Sequence, residues 1–233
     1  RTIGLLQVAL VAVLLFSLPL WKKVSSPQEE EGEEAVVALP LRQVFRLPKA
    51  KGALLGFFCY TAVEVTANLW TSSYAVRGFG VSEDTAAGWS SLFFLGITIG
   101  RLLSGFVAIK LSSPTLIRVG QGVGLCGILL LFLPLPQWRM PLGLCLIGGG
   151  CAPIFPAMLH QTPQVFGKKL SQAMMGVQMA CSYVGGMVIP PLFGFLADFF
   201  DVRILPAYLL LFLALMFLGT ESILRGSRQS GKQ

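Results

Sequence analysis

The sequence predicts an all-α polytopic membrane protein, and three observations carry that prediction. The chain has 233 residues, of which 54% are apolar and only 12% are charged, and its mean hydropathy is +0.72. Because a soluble domain is about a quarter charged, this chain has too few charged side chains to cover a water-exposed surface. Apolar runs long enough to cross a bilayer core of about 30 Å as helices recur along it, with glycine and proline inside them, as is common in membrane helices. These features exclude a soluble enzyme, a disordered tail and a nucleic-acid-binding module.

Seven apolar segments are predicted to span the membrane, and short polar connectors separate all but the first two. The long polar stretch at residues 22–51 contains an acidic cluster and is typical of a solvated linker between two helical units, with a partner-binding role as the alternative. The five cysteines lie in apolar runs without a CxxC pair, so we expect them to pack rather than to form disulfides or a zinc site. The predicted spans are residues 3–21, 53–76, 86–109, 117–136, 140–158, 172–196 and 205–222.

The distribution of lysine and arginine predicts how these helices cross the membrane. Thirteen such residues fall at one set of helix ends and four at the other, and cytoplasmic loops carry the excess of positive charge. This distribution places the N-terminus outside, and residues 22–51 and the tail after residue 224 in the cytoplasm. The net charge of +7 therefore follows from membrane topology and indicates no nucleic-acid partner.

A weak internal repeat relates two parts of the predicted bundle. Residues 96–108 and 185–197 match at an offset of 89, with five identical positions among thirteen. The offset spans three helices, and an odd number of helices inverts one unit relative to the other across the membrane. The pattern therefore predicts an inverted 3+3 repeat, which is common in secondary transporters.

A polar stripe on the second span is the first candidate site. Glu64 lies at the centre of this span, where a carboxylate is expensive and usually faces the bundle interior or a hydrated cavity. At 100° per residue, Tyr60, Thr61, Asn68 and Thr71 share its face of the helix. The stripe predicts a substrate or proton pathway, and the alternative is a structural glutamate satisfied by a neighbouring helix.

Arg101 is the one cation predicted inside a span. Its height is within about one helical turn of Glu64 at 1.5 Å per residue, so an ion pair between the two is one interpretation. The alternative is that Arg101 extends to the cytoplasmic interface and fixes a gate or a helix end. The neighbouring Gly96, Gly100 and Gly105 predict close approach of another helix.

Glycine and proline predict a broken fifth span. Three glycines at residues 148–150 precede Pro153 and Pro156, and this combination is expected to kink or interrupt the helix. The sixth span has a similar segment at residues 185–191 and carries Gln178 and Ser182 on one face. These two polar side chains suit a hydroxyl-rich or zwitterionic ligand, and helix–helix hydrogen bonding is the alternative.

The sequence predicts neither an enzyme nor a cofactor or metal site. His160, the one histidine, follows the fifth span without a second ligand at metal spacing, which favours an interfacial side chain over a proton relay. No nucleophile elbow, Walker loop or HExxH motif occurs in the sequence.

Several of these motifs match the spacing of a known family. The second span carries Tyr60, Glu64, Trp70 and Tyr74, and the third carries glycines around Arg101. The most specific stretch begins with APIFP at residues 152–156 and continues through Phe166, Gly167, Gly176, Gln178, Met179, Tyr183, Gly185, Gly186, Pro190 and Gly194. With these residues the sequence resembles the major facilitator superfamily, specifically the C-terminal half of a fucose-permease-like transporter.

The resemblance implies a fold, a domain organisation and a mechanism. Residues 1–21 would be helix six, the last helix of an N-terminal bundle absent from this sequence, and 22–51 the central cytoplasmic linker. Residues 52–224 would form the C-terminal six-helix bundle, and 225–233 a cytoplasmic tail. The implied activity is alternating access for a sugar-type solute driven by a proton or other gradient, with Glu64, Asn68 and Phe155 near the substrate. In fucose permeases the proton-linked carboxylates lie in the N-terminal half, so the resemblance leaves the coupling role of Glu64 open.

The sequence therefore favours a secondary transporter in the lipid bilayer that moves a small polar solute, such as a sugar or related metabolite. Efflux of drug-like or other organic solutes by the same fold is one alternative. A seven-helix receptor is another, because the helix count and the orientation fit that class. The linker, the repeat and the broken helices favour the transporter.

Overall fold

The computed structural model describes residue 7 and residues 11–17, 41–133 and 138–230, with side chains up to residue 224 in the last stretch. The chain divides into two compact units, residues 1–35 and 36–233. In the first unit residues 11–17 are helical, and the rest of the first predicted span lies outside the described residues. In the second unit six helices are long and apolar enough to cross a membrane, which confirms the all-α membrane fold.

The six long helices form the second unit. A short helix at Leu41–Val44 precedes them, and a 3₁₀ turn at Val202–Ile204 precedes the last one. Their bounds are α1 Ala50–Phe79, α2 Glu83–Val107, α3 Ser113–Phe132, α4 Arg139–Phe166, α5 Lys168–Phe199 and α6 Leu205–Ser230.

Of the kink or interruption predicted at the prolines of α4, the interruption does not occur, because α4 is one continuous helix through Pro153, Pro156 and Pro163. It extends eight residues past the predicted end at 158, so His160 lies within the helix rather than after it. Gly167, with a φ of 79° that a side chain would disfavour, reverses the chain into α5. A proline removes one N–H and frees one carbonyl, which bends a membrane helix without ending it when neighbours complete the hydrogen bonding.

Side chains of neighbouring helices donate hydrogen bonds to the backbone around the prolines of α5. This helix also runs uninterrupted through Pro190 and Pro191. The indole Nε1 of Trp70, on α1, donates to the Pro190 carbonyl at 2.9 Å, and the Tyr208 hydroxyl, on α6, donates to the Ile189 carbonyl at 3.0 Å. Side-chain donors from two helices thus hold the proline segment in place.

The helices pack as two groups around α1 and α4. Helix α1 packs most extensively against α5 and α6, whereas α4 packs most extensively against α2 and α3. Smaller contacts between α1 and α4, α1 and α2, and α3 and α6 join the groups. The α1 and α4 helices are therefore the central elements on which a site between the groups is built.

Glycines allow the closest helix crossings. A Cβ added at Gly96 would overlap the Cys145 carbonyl of α4, and one at Gly100 would lie 2.8 Å from the Gly149 carbonyl oxygen. These two glycines match the predicted close approach. The same prediction is wrong for Gly105, where an added Cβ meets no atom within 4 Å, because α2 has by then left the surface of α4.

The two ends of the bundle are each named after one residue. The Phe79 end contains the last turn of α1 and the starts of α2, α4 and α6. The His160 end contains the start of α1, the connection from α2 to α3, and the turn between α4 and α5.

Candidate functional site

Glu64 lies at the midpoint of α1 and is half-buried. Its carboxylate interacts with the hydroxyl of Tyr60, one turn earlier on the same helix, and electrostatically with Arg101 of α2. Cys151 of α4 is close enough to Glu64 for its thiol to be electrostatically coupled to the carboxylate. The carboxylate thus lies where α1, α2 and α4 meet, as expected for an acid turned towards the bundle interior.

Aromatic rings form one wall beside this carboxylate. The Phe155 ring of α4 lies 5.6 Å from the Tyr60 ring and 5.5 Å, edge to face, from the Phe57 ring of α1. Tyr60 is 3% exposed and Phe57 1%, so only the edge of this cluster reaches open space. The structure therefore brings together three of the predicted site residues, Glu64, Tyr60 and Phe155. We name these three the Glu64 cluster.

Arg101 lies near the cluster but forms no ion pair with it. Its side chain is exposed, and no carboxylate oxygen of a described residue lies within 4 Å of it. The ion pair that the sequence suggested between Arg101 and Glu64 is thus absent in this conformation, although the two charges remain coupled electrostatically.

Asn68 and Thr71, further along the polar stripe, differ in exposure. Asn68 is half-buried one turn beyond Glu64, on the same face. Thr71 is 2% exposed, and its hydroxyl donates to the Ala67 carbonyl of its own helix. Thr71 is therefore turned into the helix packing and is not part of the Glu64 cluster.

Gln178 and Ser182 of α5 lie within helix interfaces. Thr162 of α4 donates a hydrogen bond of 2.9 Å to Oε1 of Gln178, and the Ser182 hydroxyl pairs with the Thr61 hydroxyl of α1. Gln178 and Ser182 are 2% and 5% exposed. This geometry fits helix–helix hydrogen bonding, the alternative that the sequence left open for both residues.

An open cavity of about 710 Å³ lies between α2, the start of α3 and α4. Arg101, Gly105, Pro153 and Pro156, which the sequence assigned to gating or structure, line it together with Phe155 of the Glu64 cluster. The sequence missed the cavity because its walls come from three helices whose polar residues share no local pattern. We name it the Arg101 cavity.

His160 lines the same cavity towards the His160 end. Its Nδ1 lies 3.1 Å from the Oγ of Ser113, the first residue of α3. The remaining polar lining comes from Ser104, Ser112 and Gln164. The histidine thus connects α4 to α3, which is more specific than the interfacial position expected from the sequence.

At the Phe79 end, two arginines cluster around Phe79, and the sequence did not predict this cluster. The guanidinium carbons of Arg139 and Arg203 lie 4.9 Å and 5.5 Å from the centroid of the Phe79 ring. Arg203 also donates from Nε to the Gly78 carbonyl at 2.8 Å, and Arg139 donates from Nη1 to the Leu131 carbonyl. We name Phe79, Arg139 and Arg203 the Phe79 clamp, since it ties together α1, α4 and the turn before α6.

Six long apolar helices around a half-buried carboxylate define a polytopic helical membrane protein with a polar centre. A family model described as Major Facilitator Superfamily matches residues 2–190 and residues 53–229. The chain belongs to the Major Facilitator Superfamily, and it is an integral membrane protein. The family and the fold are those of transporters rather than of enzymes, and the resemblance drawn from the sequence is confirmed.

Two curated relatives match over most of the chain. Human Sodium-dependent glucose transporter 1 is 30% identical over 199 residues, which are 80% of this chain and 35% of the human protein. The Saccharomyces cerevisiae Bypass of stop codon protein 6 is 26% identical over 218 residues, which are 84% of this chain and 43% of the yeast protein. The chain therefore spans less than half the length of these relatives.

Solved structures with the same fold include two of a fucose transporter. The transporter FucP in its outward conformation superposes with a TM-score of 0.65 at 17% identity, covering 78% of this chain and 44% of that chain. A variant of the E. coli fucose:proton symporter superposes with a TM-score of 0.62 at 18% identity, with the same coverage. These superpositions establish the fold.

Proposed function

We propose that the chain is part of a secondary transporter that moves a small polar solute, of the sugar type, by alternating access. The observation that carries the proposal is the Glu64 cluster. A carboxylate at the midpoint of a membrane helix is expensive unless it binds a partner or a proton. Here the Tyr60 hydroxyl interacts with it and no cation lies within 4 Å of it among the described residues, so it has acceptor capacity left for a solute hydroxyl or a proton.

The rings beside Glu64 suit a sugar-type ligand. Phe155, which is half-buried and lies against the Tyr60 ring, presents aromatic surface near a carboxylate acceptor, and sites for polar small molecules combine apolar walls with a few placed polar groups. The similarity to a human protein named as a glucose transporter and to a fucose:proton symporter supports the same solute class. On this basis Asn68, half-buried one turn from Glu64, is a second ligand for the solute.

The packing supports an inverted repeat within the bundle. In such a repeat α1, α2 and α3 are equivalent to α4, α5 and α6. The extensive contacts of α1 with α5 and α6 then correspond to the extensive contacts of α4 with α2 and α3. Gly96 lies against the α4 backbone, and its repeat counterpart Gly185 lies against the α1 backbone at Phe58. We propose that these equivalent crossings let the two halves of the bundle rock about the Glu64 cluster.

The exposed helices support a second bundle as partner. In the repeat, α2 corresponds to α5, and these are the two long helices with the smallest buried share, 11% and 28% of their most apolar windows. We propose that a preceding helical bundle of the same transporter covers part of these faces, with residues 22–51 as the linker between the bundles. The excess of lysine and arginine at the His160 end supports a cytoplasmic position for that end.

The proposal is tested with the full-length native protein reconstituted in vesicles. Uptake of radiolabelled hexoses is measured under an inward proton gradient, an inward sodium gradient and no gradient. We expect one gradient to drive accumulation of at least one hexose, because coupling to an ion gradient defines this class of transporter. Uptake that stays at the level of protein-free vesicles for every hexose and gradient would contradict the sugar assignment.

A further inference from the structure

We propose that the Arg101 cavity binds a phosphate-type oxyanion, which Arg101 holds at the inner end, while His160 and Ser113 at the mouth contact other polar atoms of the same ligand. The proposal stands apart from the identity of the transported solute. The oxyanion is either a small phosphorylated molecule or the headgroup of an anionic phospholipid, and both present the same chemistry to the cavity.

The first argument is the unsatisfied charge of Arg101. Its guanidinium makes no hydrogen bond or ion pair with another residue in the described part of the chain, and Glu64 lies beyond 4 Å. A charged side chain at membrane depth normally finds a partner. The five donors of a guanidinium match the geometry of a phosphate or carboxylate, and the exposed side of Arg101 opens into the cavity.

The second argument is the chemical character of the lining. Its polar members are Arg101, His160, Gln164 and three serines, and none of the described lining residues is acidic. All of these side chains can donate hydrogen bonds. A cavity built from donors and one permanent positive charge selects against cations and favours a ligand with several acceptor oxygens.

The third argument is the arrangement of the mouth. Gly100 packs against Gly149 and Ala152 of α4, so Arg101 lies near the level of Ala152. His160 is eight residues further along α4, about 12 Å at 1.5 Å per residue. The first turn of α3 faces the same mouth, and its N-terminal partial positive charge adds to the attraction for an anion.

The volume is also suitable. Small-molecule sites occupy about 300–1,000 Å³, and the cavity measures about 710 Å³. It thus has room for a phosphorylated small molecule or a phospholipid headgroup with the start of its glycerol unit. The distance between Arg101 and His160 lets one ligand contact both groups through separate polar atoms.

The test is thermal unfolding of the full-length native protein, purified in detergent and freed of lipid. Inorganic phosphate is compared with chloride at equal ionic strength, and then phosphatidic acid with phosphatidylcholine in mixed micelles, since a ligand that binds the folded state raises the Tm. We expect phosphate or phosphatidic acid to raise the Tm of the native protein. A response to both indicates that a free oxyanion suffices, whereas a response to phosphatidic acid alone assigns the site to a lipid headgroup.

Variants decide whether the rise belongs to the cavity. We expect Arg101→Gln to abolish the Tm rise, His160→Ala to reduce it, and Arg118→Gln to leave it intact. Arg118 is a matched control because it is an arginine at the same end of the bundle, on α3, but is paired with Glu221 at 2.6 Å. The proposal is overturned if neither ligand raises the Tm, or if the rise is equally large in Arg101→Gln.

Glu64→Gln separates this proposal from the view that Arg101 serves only as a counter-charge to Glu64. Without the carboxylate, Arg101 has no competing internal anion, so we expect the ligand-induced Tm rise to be retained or larger. Loss of the rise in Glu64→Gln while it persists in Arg118→Gln would overturn the proposal. Because every readout is binding, failure here leaves the sugar transport test unaffected.

Discussion

The two ends of the bundle use arginine in opposite ways. At the Phe79 end, Arg139 and Arg203 both contact the Phe79 ring and donate to backbone carbonyls. Towards the His160 end, Arg101 opens into a cavity and pairs with no described residue. The difference shows that an arginine in a membrane bundle is structural when its neighbours supply ring faces and carbonyls, and is available for a ligand when they do not.

Burial follows the same division. Arg139 is 6% exposed although it carries a charge, and it contacts the Phe79 ring and donates to the Leu131 carbonyl. A cation–π contact is worth about 0.5–2 kcal/mol depending on desolvation. The Phe79 end is thus held by contacts among its own residues. Towards the His160 end, Arg101 lies beside a cavity and has no ion-pair partner among the described residues.

The largest stability effect is expected for Phe79→Ala. The variant removes the ring that two guanidinium groups share and that packs 5.1 Å from the Tyr74 ring. Because Phe79 is half-buried, we expect a loss of about 3 kcal/mol, the low end of the range for truncating an aromatic residue, measured by thermal unfolding in detergent. Phe79→Leu, which keeps most of the volume, is expected to lose about 1 kcal/mol, and native-like stability of this variant would exclude a cation–π role.

The next effect is expected at the crossing of α2 and α4. Gly100→Ala places a methyl group 2.7 Å from the Ala152 Cβ and 2.8 Å from the Gly149 carbonyl oxygen, so we expect a loss of about 1–3 kcal/mol. Gly105→Ala on the same helix meets no atom within 4 Å and should change stability by less than about 0.5 kcal/mol. Equal losses in the two variants, measured by thermal unfolding, would show that the crossing lies elsewhere.

A smaller effect is expected at the interface of α4 and α5. Thr162→Val removes the donor to Gln178 Oε1, and hydrogen bonds between membrane helices average about 0.6 kcal/mol. Thr98→Val is the control, since the Thr98 hydroxyl is exposed and donates to its own helix at Phe94. If Thr162→Val weakens hexose binding by more than its loss of stability explains, Gln178 would instead lie at the solute.

The smallest stability effect is expected for Arg101→Gln. Because no described residue depends on the guanidinium for a hydrogen bond, stability should change by less than about 0.5 kcal/mol. We nevertheless expect transport to be lost while solute binding is partly retained, as suits a gating residue. A stability loss as large as that of Phe79→Ala would remove the contrast between the two ends.

Local periodicity made the centre of the molecule predictable. The positions of the six long helices, the interior direction of Glu64 and its proximity to Tyr60 follow from hydropathy and from 100° per residue. Phe155 came from the family resemblance, and its ring contact with Tyr60 agrees with that placement.

The contacts that the sequence could not predict are those between residues far apart along the chain. Phe79, Arg139 and Arg203 are separated by 60 or more residues, and no local pattern links a ring to cations so far along the chain. Composition also overstated the effect of proline, since α4 continues through Pro153 and Pro156. Gly105 shows that a glycine motif predicts close packing only where the helices remain in contact.

The most direct test of the central claim is transport by Glu64→Gln in the full-length native protein. Uptake of a responsive hexose is measured both under an ion gradient and by counterflow, which needs no gradient, with the exposed Glu83→Gln as control. We expect gradient-driven uptake to be lost at native expression while the control is unaffected; retained counterflow would assign Glu64 to coupling, and its loss to solute binding. Unchanged uptake and counterflow in Glu64→Gln would contradict the account.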